Sequence, residues 1–248
     1  MSNLRDILRS PKVQLLFLLA ALAGVGAARN PRPALLLVQL GVAVASAVLA
    51  EWAFFGPVSP THLHSAAVSG MLVGMILAPG ASLELIWLAA VVAIASKKLM
   101  TIRPGRHIFN PAALGLAIVM LLFGNQLNWW GYSSPVIVVL GAGLILFRLR
   151  RISLVFSYFI SRALAAFILG GFISLPEMLL VPNLFFAFIM VVEPKTSPAG
   201  RPAQWLFRGL CGVLATISYR WLPVLDGDLL ALLAANLSRP VLERLTSR

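Results

Sequence analysis

Two short stretches hold most of the residues that could do chemistry in this chain. The first is GRHIFNPAALGL, Gly105 to Leu116. It sets a guanidinium, an imidazole and an amide (Arg106, His107, Asn110) directly before Pro111 and an apolar run. Proline lacks an N–H and suits the first turn of a helix, and asparagine suits the N-cap. A helix opening at Pro111 aims unpaired N–H groups and a partial positive charge back toward Arg103, Arg106 and His107. Such an end binds a phosphate or the electron-rich edge of a flavin ring. The same residues also read as an ordinary cap after a basic loop, and the residue types alone leave both readings open.

The second stretch is EPKTSPAGRP, Glu193 to Pro202. Its prolines hold the backbone off the helical path. Non-helical backbone at membrane depth is tolerated only where protein or a cavity covers it. Glu193, Thr196 and Ser197, with the freed carbonyls, then either meet a ligand or form a rigid surface turn.

Other polar residues are scattered. Ionisable groups inside spans are costly and usually line interiors or pathways. Glu51 stands next to Trp52 near a segment end, where it can snorkel to water. Glu84 lies early in its segment. Arg162 is the deepest of the three, and no role is assigned to it. His62 and His64 lack the carboxylate or cysteine companions of a metal site. Trp129 and Trp130 read as an interfacial aromatic belt. The single cysteine, Cys211, cannot form an internal disulfide or hold an iron–sulfur cluster alone. No phosphate-binding Gly-rich loop, Ser/His/Asp set or pair of catalytic carboxylates is present, so no self-contained catalytic site is expected.

Composition says what must position these residues. Of the 248 residues, 60% are hydrophobic and 11% charged, against about 25% charged in soluble domains. The mean hydropathy is +0.92. The expectation is an all-α polytopic membrane protein, a single integral membrane domain over 1–248. The net charge of +12 does not point to nucleic acid, because the basic residues sit in short clusters between apolar runs. The basic N-terminus leads into the first span rather than ending at a signal-peptide cleavage site.

Ten apolar segments are expected, at 13–28, 33–55, 64–79, 82–97, 109–124, 134–148, 152–171, 175–192, 203–220 and 226–240. Those at 64–79 and 109–124 border Pro or Gly and read as half-helices or buried spans. If all ten cross, one side collects Arg5, Arg9, Lys12, Lys97, Lys98, Arg103, Arg106, Arg148, Arg150, Arg151, Lys195, Arg201, Arg239, Arg244 and Arg248. The other side holds Arg29, Arg32 and Arg220. That bias places both termini in the cytoplasm. Asn110-Pro111-Ala112 and Ser197-Pro198-Ala199 each precede an apolar segment, which suggests repeats over 13–124 and 134–240. Two five-segment halves are necessarily inverted, and such repeats commonly carry the ligand site at their interface.

The order SGMLVGMILAPG (69–80), GRHIFNPAALGLA, EPKTSP resembles the family of the D subunit of Rnf-type electron-transport complexes and the B subunit of sodium-pumping NADH:quinone reductases. The resemblance covers roughly residues 35–220. It implies a ten-helix fold of two inverted five-helix halves, similar to urea transporters. It also implies a membrane subunit of a flavin-dependent electron-transport system in the cell inner membrane, with flavoprotein or iron–sulfur partner subunits. By the same resemblance, Arg106, His107, Asn110, Pro111, Glu193, Thr196 and Ser197 would be cofactor-binding residues. Two departures stand out. Glu193 replaces the family's usual Asp. The Ser/Thr-Gly-Ala-Thr-type motif that carries covalent FMN is missing, and that region reads NQLNWWGYSSPVIVVL. The flavin, FMN or riboflavin, is therefore expected to be noncovalent. A function of a different class, a small-solute channel or transporter, also suits the implied fold. Phe-Asn-Pro-Ala with Ser-Pro-Ala resembles the paired marks of aquaporins, although ten segments do not match six spans plus two half-helices.

Overall fold

A computed structural model describes residues 10–57, 59–103, 106–124, 126–170 and 183–246. Among these residues the chain forms ten helical segments and one small hairpin. The helices are α1 (Pro11–Ala28), α2 (Pro33–Phe55), α3 (Pro60–Ile76), α4 (Leu83–Leu99) and α5 (Pro111–Phe123), then α6 (Pro135–Arg148). They continue with α7 (Ser153–Ile168), α8 (residues 183–190), α9 (Arg201–Trp221) and α10 (Gly227–Leu245). Both α6 and α8 contain a π-helical turn, Val138–Ala142 and Phe186–Met190. The hairpin pairs β1 (Thr101–Arg103) with β2 (Arg106–His107) between α4 and α5.

Every expected apolar segment carries a helix, with ends shifted by a few residues. For the eighth, residues 175–182 lie outside the described residues, as do Arg5, Arg9, Gly105 and Arg248. Prolines open α1, α2, α3, α5 and α6, where a missing N–H costs nothing. Helices α1 and α2 are long and apolar enough to cross a membrane; α5, α6 and α7 are shorter apolar helices.

Helices α1–α5 and α6–α10, the first and second half of the chain, share one neighbour pattern. In the first, α4 packs on α2 and α5; in the second, α9 packs on α7 and α10. Glycines permit two of these crossings. A Cβ on Gly115 would sit 2.1 Å from the Ala89 carbonyl oxygen, and one on Gly212 would sit 2.4 Å from that of Tyr158. The two Xaa-Pro-Ala marks do not occupy matching places in this pattern. Pro111 opens α5, whereas Ser197-Pro198-Ala199 leads into α9, whose counterpart by packing is α4. Proline marks any helix start alike, so a repeated Pro-Ala does not by itself identify equivalent helices.

Helices α5 and α10 join the halves and run antiparallel. Asn236 of α10 meets Asn110 before α5, and Asp226 before α10 meets Met120 near the end of α5. With 13 residues, α5 is about 20 Å long, short of the ~30 Å of a bilayer core. Its N-terminal end is buried, with Asn110, Ala112 and Ala113 covered, whereas Leu121, Leu122 and Phe123 at the other end are exposed.

Candidate functional site

Asn110 brings the two motifs into contact. Its Oδ1 accepts from the Ala113 N–H at 3.0 Å and caps α5. That leaves the amide nitrogen free to turn toward the other half, where Nδ2 donates to Glu193 Oε2 at 2.8 Å. The backbone N–H of Asn110 donates to Asn236 Oδ1 at 2.9 Å. One short side chain thus closes a helix end and bridges the halves.

The loop that carries Glu193 holds itself in place. Ser197 Oγ donates to the Glu193 carbonyl at 2.7 Å, and Thr196 Oγ1 lies 3.4 Å from Glu193 Oε2. Arg106 reaches the Ser197 carbonyl at 3.3 Å and pairs with Glu243 at 3.6 Å. Arg239 donates to the carbonyls of both His107 and Lys195, at 3.3 Å each. Helix α10 therefore staples the hairpin to the proline-rich loop.

A cavity of about 180 Å³ opens beside this junction. Its walls are apolar and come from α1, α3, α6 and α8, with Leu15, Leu72, Leu146 and Phe188 among them. Its polar groups are Lys12, Ser65, Ser69, Asn110, Glu193 and Lys195. The N-terminal turns of α1 and α5 both border it, through Pro11 and Lys12 and through Pro111 and Ala112. Positive helix ends and two ammonium groups thus surround one carboxylate.

Of the seven candidate residues, Asn110, Pro111 and Glu193 line this cavity; Arg106, His107, Thr196 and Ser197 do not. Those four lie behind it. Thr196 and Ser197 are buried in the loop's own hydrogen bonds, and Arg106 ties the two motifs together. His107 is buried, and neither ring nitrogen makes a hydrogen bond. Burial, then the cations Lys195 and Lys97, lower its pKa to about 4, so it is neutral at physiological pH. Burial raises the Glu193 carboxyl, against the pull of Lys97 and Lys195.

Several residues that the sequence left vague find partners here. Glu51 does not snorkel. It is 4% exposed and pairs with Lys97 at 3.3 Å, while Lys97 also donates to the carbonyl of Ser65 on the cavity wall. The pair joins helices α2 and α4, and no local spacing announces it. Arg162 pairs with Asp228 at 2.8 Å, and Asp228 also accepts from Tyr158 and Tyr219. Trp129 and Trp130 are buried rather than interfacial. Their indole N–H groups donate to Asp226 and to the Gly74 carbonyl, satisfying the polar edge that otherwise favours the membrane surface. Lys12, Ser65 and Ser69 line the cavity without any local signal that marks them, and Lys195 joins them from the proline-rich loop.

This arrangement can hold a flat, mostly apolar ring with a polar edge. The carboxylate accepts, the amide and ammonium groups donate, and the helix ends favour electron density. Its volume lies below the roughly 300 Å³ at which pockets for drug-sized ligands begin. It therefore suits a ring system rather than a whole nucleotide. The sequence profile of the NQR2, RnfD, RnfE family matches residues 9–135 and 128–248.

Proposed function

The chain belongs to the NQR2, RnfD, RnfE family and is thus a membrane subunit of an electron-transport or ion-pumping complex; from that premise we propose that it holds a flavin noncovalently between its halves. The observation that carries this reading is the 2.8 Å contact of Asn110 with Glu193, which joins the two motifs at one cavity. Riboflavin suits the cavity better than FMN. The partly open cavity takes a ring, and a phosphate would have to extend beyond it, past Lys12 or Lys195.

A bound flavin supplies the ability to take up and release electrons. The chain's residues would bind and orient it. Glu193 would accept from a ring N–H, and Asn110 would fix the carboxylate while capping α5. Lys12, Lys195 and the N-termini of α1 and α5 would favour the negative charge that reduction brings. The apolar walls would keep bulk water from the ring. In this reading the chain sits in the cytoplasmic membrane with both termini inside, as two inverted five-helix repeats. It passes electrons to or from flavoprotein or iron–sulfur subunits.

A visible spectrum of the purified protein tests the proposal. Flavin absorbance is expected, and it should leave with the supernatant when the protein is precipitated. Asn110→Ala and Glu193→Ala should each weaken riboflavin binding by about tenfold or more. A colourless protein that takes up neither riboflavin nor FMN would sink the reading. Solute flux into proteoliposomes would then be the measurement to make.

A further inference from the structure

We infer that Arg208 holds a two-oxygen anion, a carboxylate or a phosphate, at the junction of α9 with the α6–α7 loop. Arg208 is 0% exposed. Its Nη1 donates to the Gln204 carbonyl at 3.0 Å. Nε and Nη2 have no hydrogen-bond partner. Three arginines are buried among the described residues, Arg162, Arg208 and Arg239. Arg162 has Asp228 and Arg239 has Glu243; Arg208 has no carboxylate among the described residues. The ionised group whose field reaches it is a second cation, Arg151. Removing a charge from water without a counter-charge is strongly unfavourable, and buried polar groups without partners are rare and call for an ion or a water.

The identity of the free nitrogens sets the class of anion. Nε and Nη2 lie on one edge of the guanidinium, with parallel N–H bonds. That edge is the fork that grips two oxygens of a carboxylate or phosphate at once. A halide offers a single centre and does not exploit it. Arg151 is half-buried and turns one nitrogen to the Val192 carbonyl, so it adds a second positive field at the same junction. Arg148, the last residue of α6, and Arg150 of the loop are both exposed and add positive charge beside Arg151 in the chain. The oxyanion could come from solution or from a phospholipid headgroup. The site shares no residue with the flavin cavity, so the two proposals stand or fall separately.

The full chain in detergent, in chloride at fixed ionic strength, is titrated with inorganic phosphate, acetate or phosphatidylglycerol. The unfolding midpoint is followed by tryptophan fluorescence. A saturable rise is expected. Arg208→Lys keeps the charge but loses the fork, and should raise the half-saturating concentration by about tenfold or more. A rise with free phosphate or acetate assigns a soluble oxyanion, and a rise with phosphatidylglycerol alone assigns a headgroup; either supports the site. No saturable rise from any of the three, or an equal rise in Arg208→Lys, overturns it. Should that variant not fold, Arg151→Gln stands in. Binding weakened by about threefold supports the site, and unchanged binding overturns it.

Discussion

A buried imidazole set near Lys195 and Lys97 is hard to protonate. His107 titrates near 6.5 when unfolded and near 4 when folded. Between those values the unfolded chain binds more protons, so the contribution of His107 to stability is full above pH 6.5 and is lost as pH falls toward 4. His107→Gln should flatten that fall in the unfolding midpoint, and parallel profiles for parent and variant would refute it. Glu193, raised by burial, acts in the opposite sense, and the difference between the two profiles removes its share. The Arg162–Asp228 pair allows a second prediction. Asp228→Asn leaves a buried guanidinium without its counter-charge and should cost about 3–5 kcal/mol in unfolding free energy. Combining Arg162→Met with Asp228→Leu should recover much of that loss. Asn110, Pro111 and Glu193, which line the cavity, stand out in the sequence because an Asn-Pro cap and a charge that ends an apolar run are both visible within a few residues. The Glu51–Lys97 and Arg162–Asp228 pairs do not, because each joins helices far apart in the chain. Until packing is known, a charge in an apolar run does not reveal its partner. The sequence misleads at Trp129 and Trp130 for the same reason, since their acceptors lie just before α10 and on α3.

Helix boundaries were legible to within a few residues because proline, glycine and apolar run length act locally. Helix crossings were not, because a glycine's neighbour is set by tertiary approach. Gly115 and Gly24 look alike in sequence, yet Gly24 has nothing within 4 Å of an added Cβ while Gly115 has a carbonyl at 2.1 Å. Gly115→Ala should therefore destabilise by about 1–3 kcal/mol or more, as overpacking does. Gly24→Ala should be neutral or stabilising by up to about 1 kcal/mol, from helix propensity. Equal thermal shifts in the two variants would contradict the close α4–α5 approach. The Pro-Ala echo shows the opposite failure, in which a local mark repeats but its helix packs in a different place.

For the whole molecule, charge bias and helix packing make a joint prediction about sidedness. In a Cys211→Ser background, cysteines at Arg150 and Arg244 should react with an impermeant thiol reagent from one face of a sealed vesicle. Cysteines at Arg32 and Val224 should react from the other. Reaction of all four from a single face would refute the ten-segment topology. The halves touch at both ends of α5, through Asn110 with Glu193 and through Trp129 with Asp226. Because α5 measures about 20 Å, polar junctions at its two ends are closer together than the two faces of a bilayer. The consequence is electrical. Where water reaches both junctions, a membrane voltage falls across this shorter layer and gives a steeper local field than across ordinary lipid. Any unit charge carried from one junction to the other would pass through most of that voltage, a work of about 2.3 kcal/mol for each 100 mV.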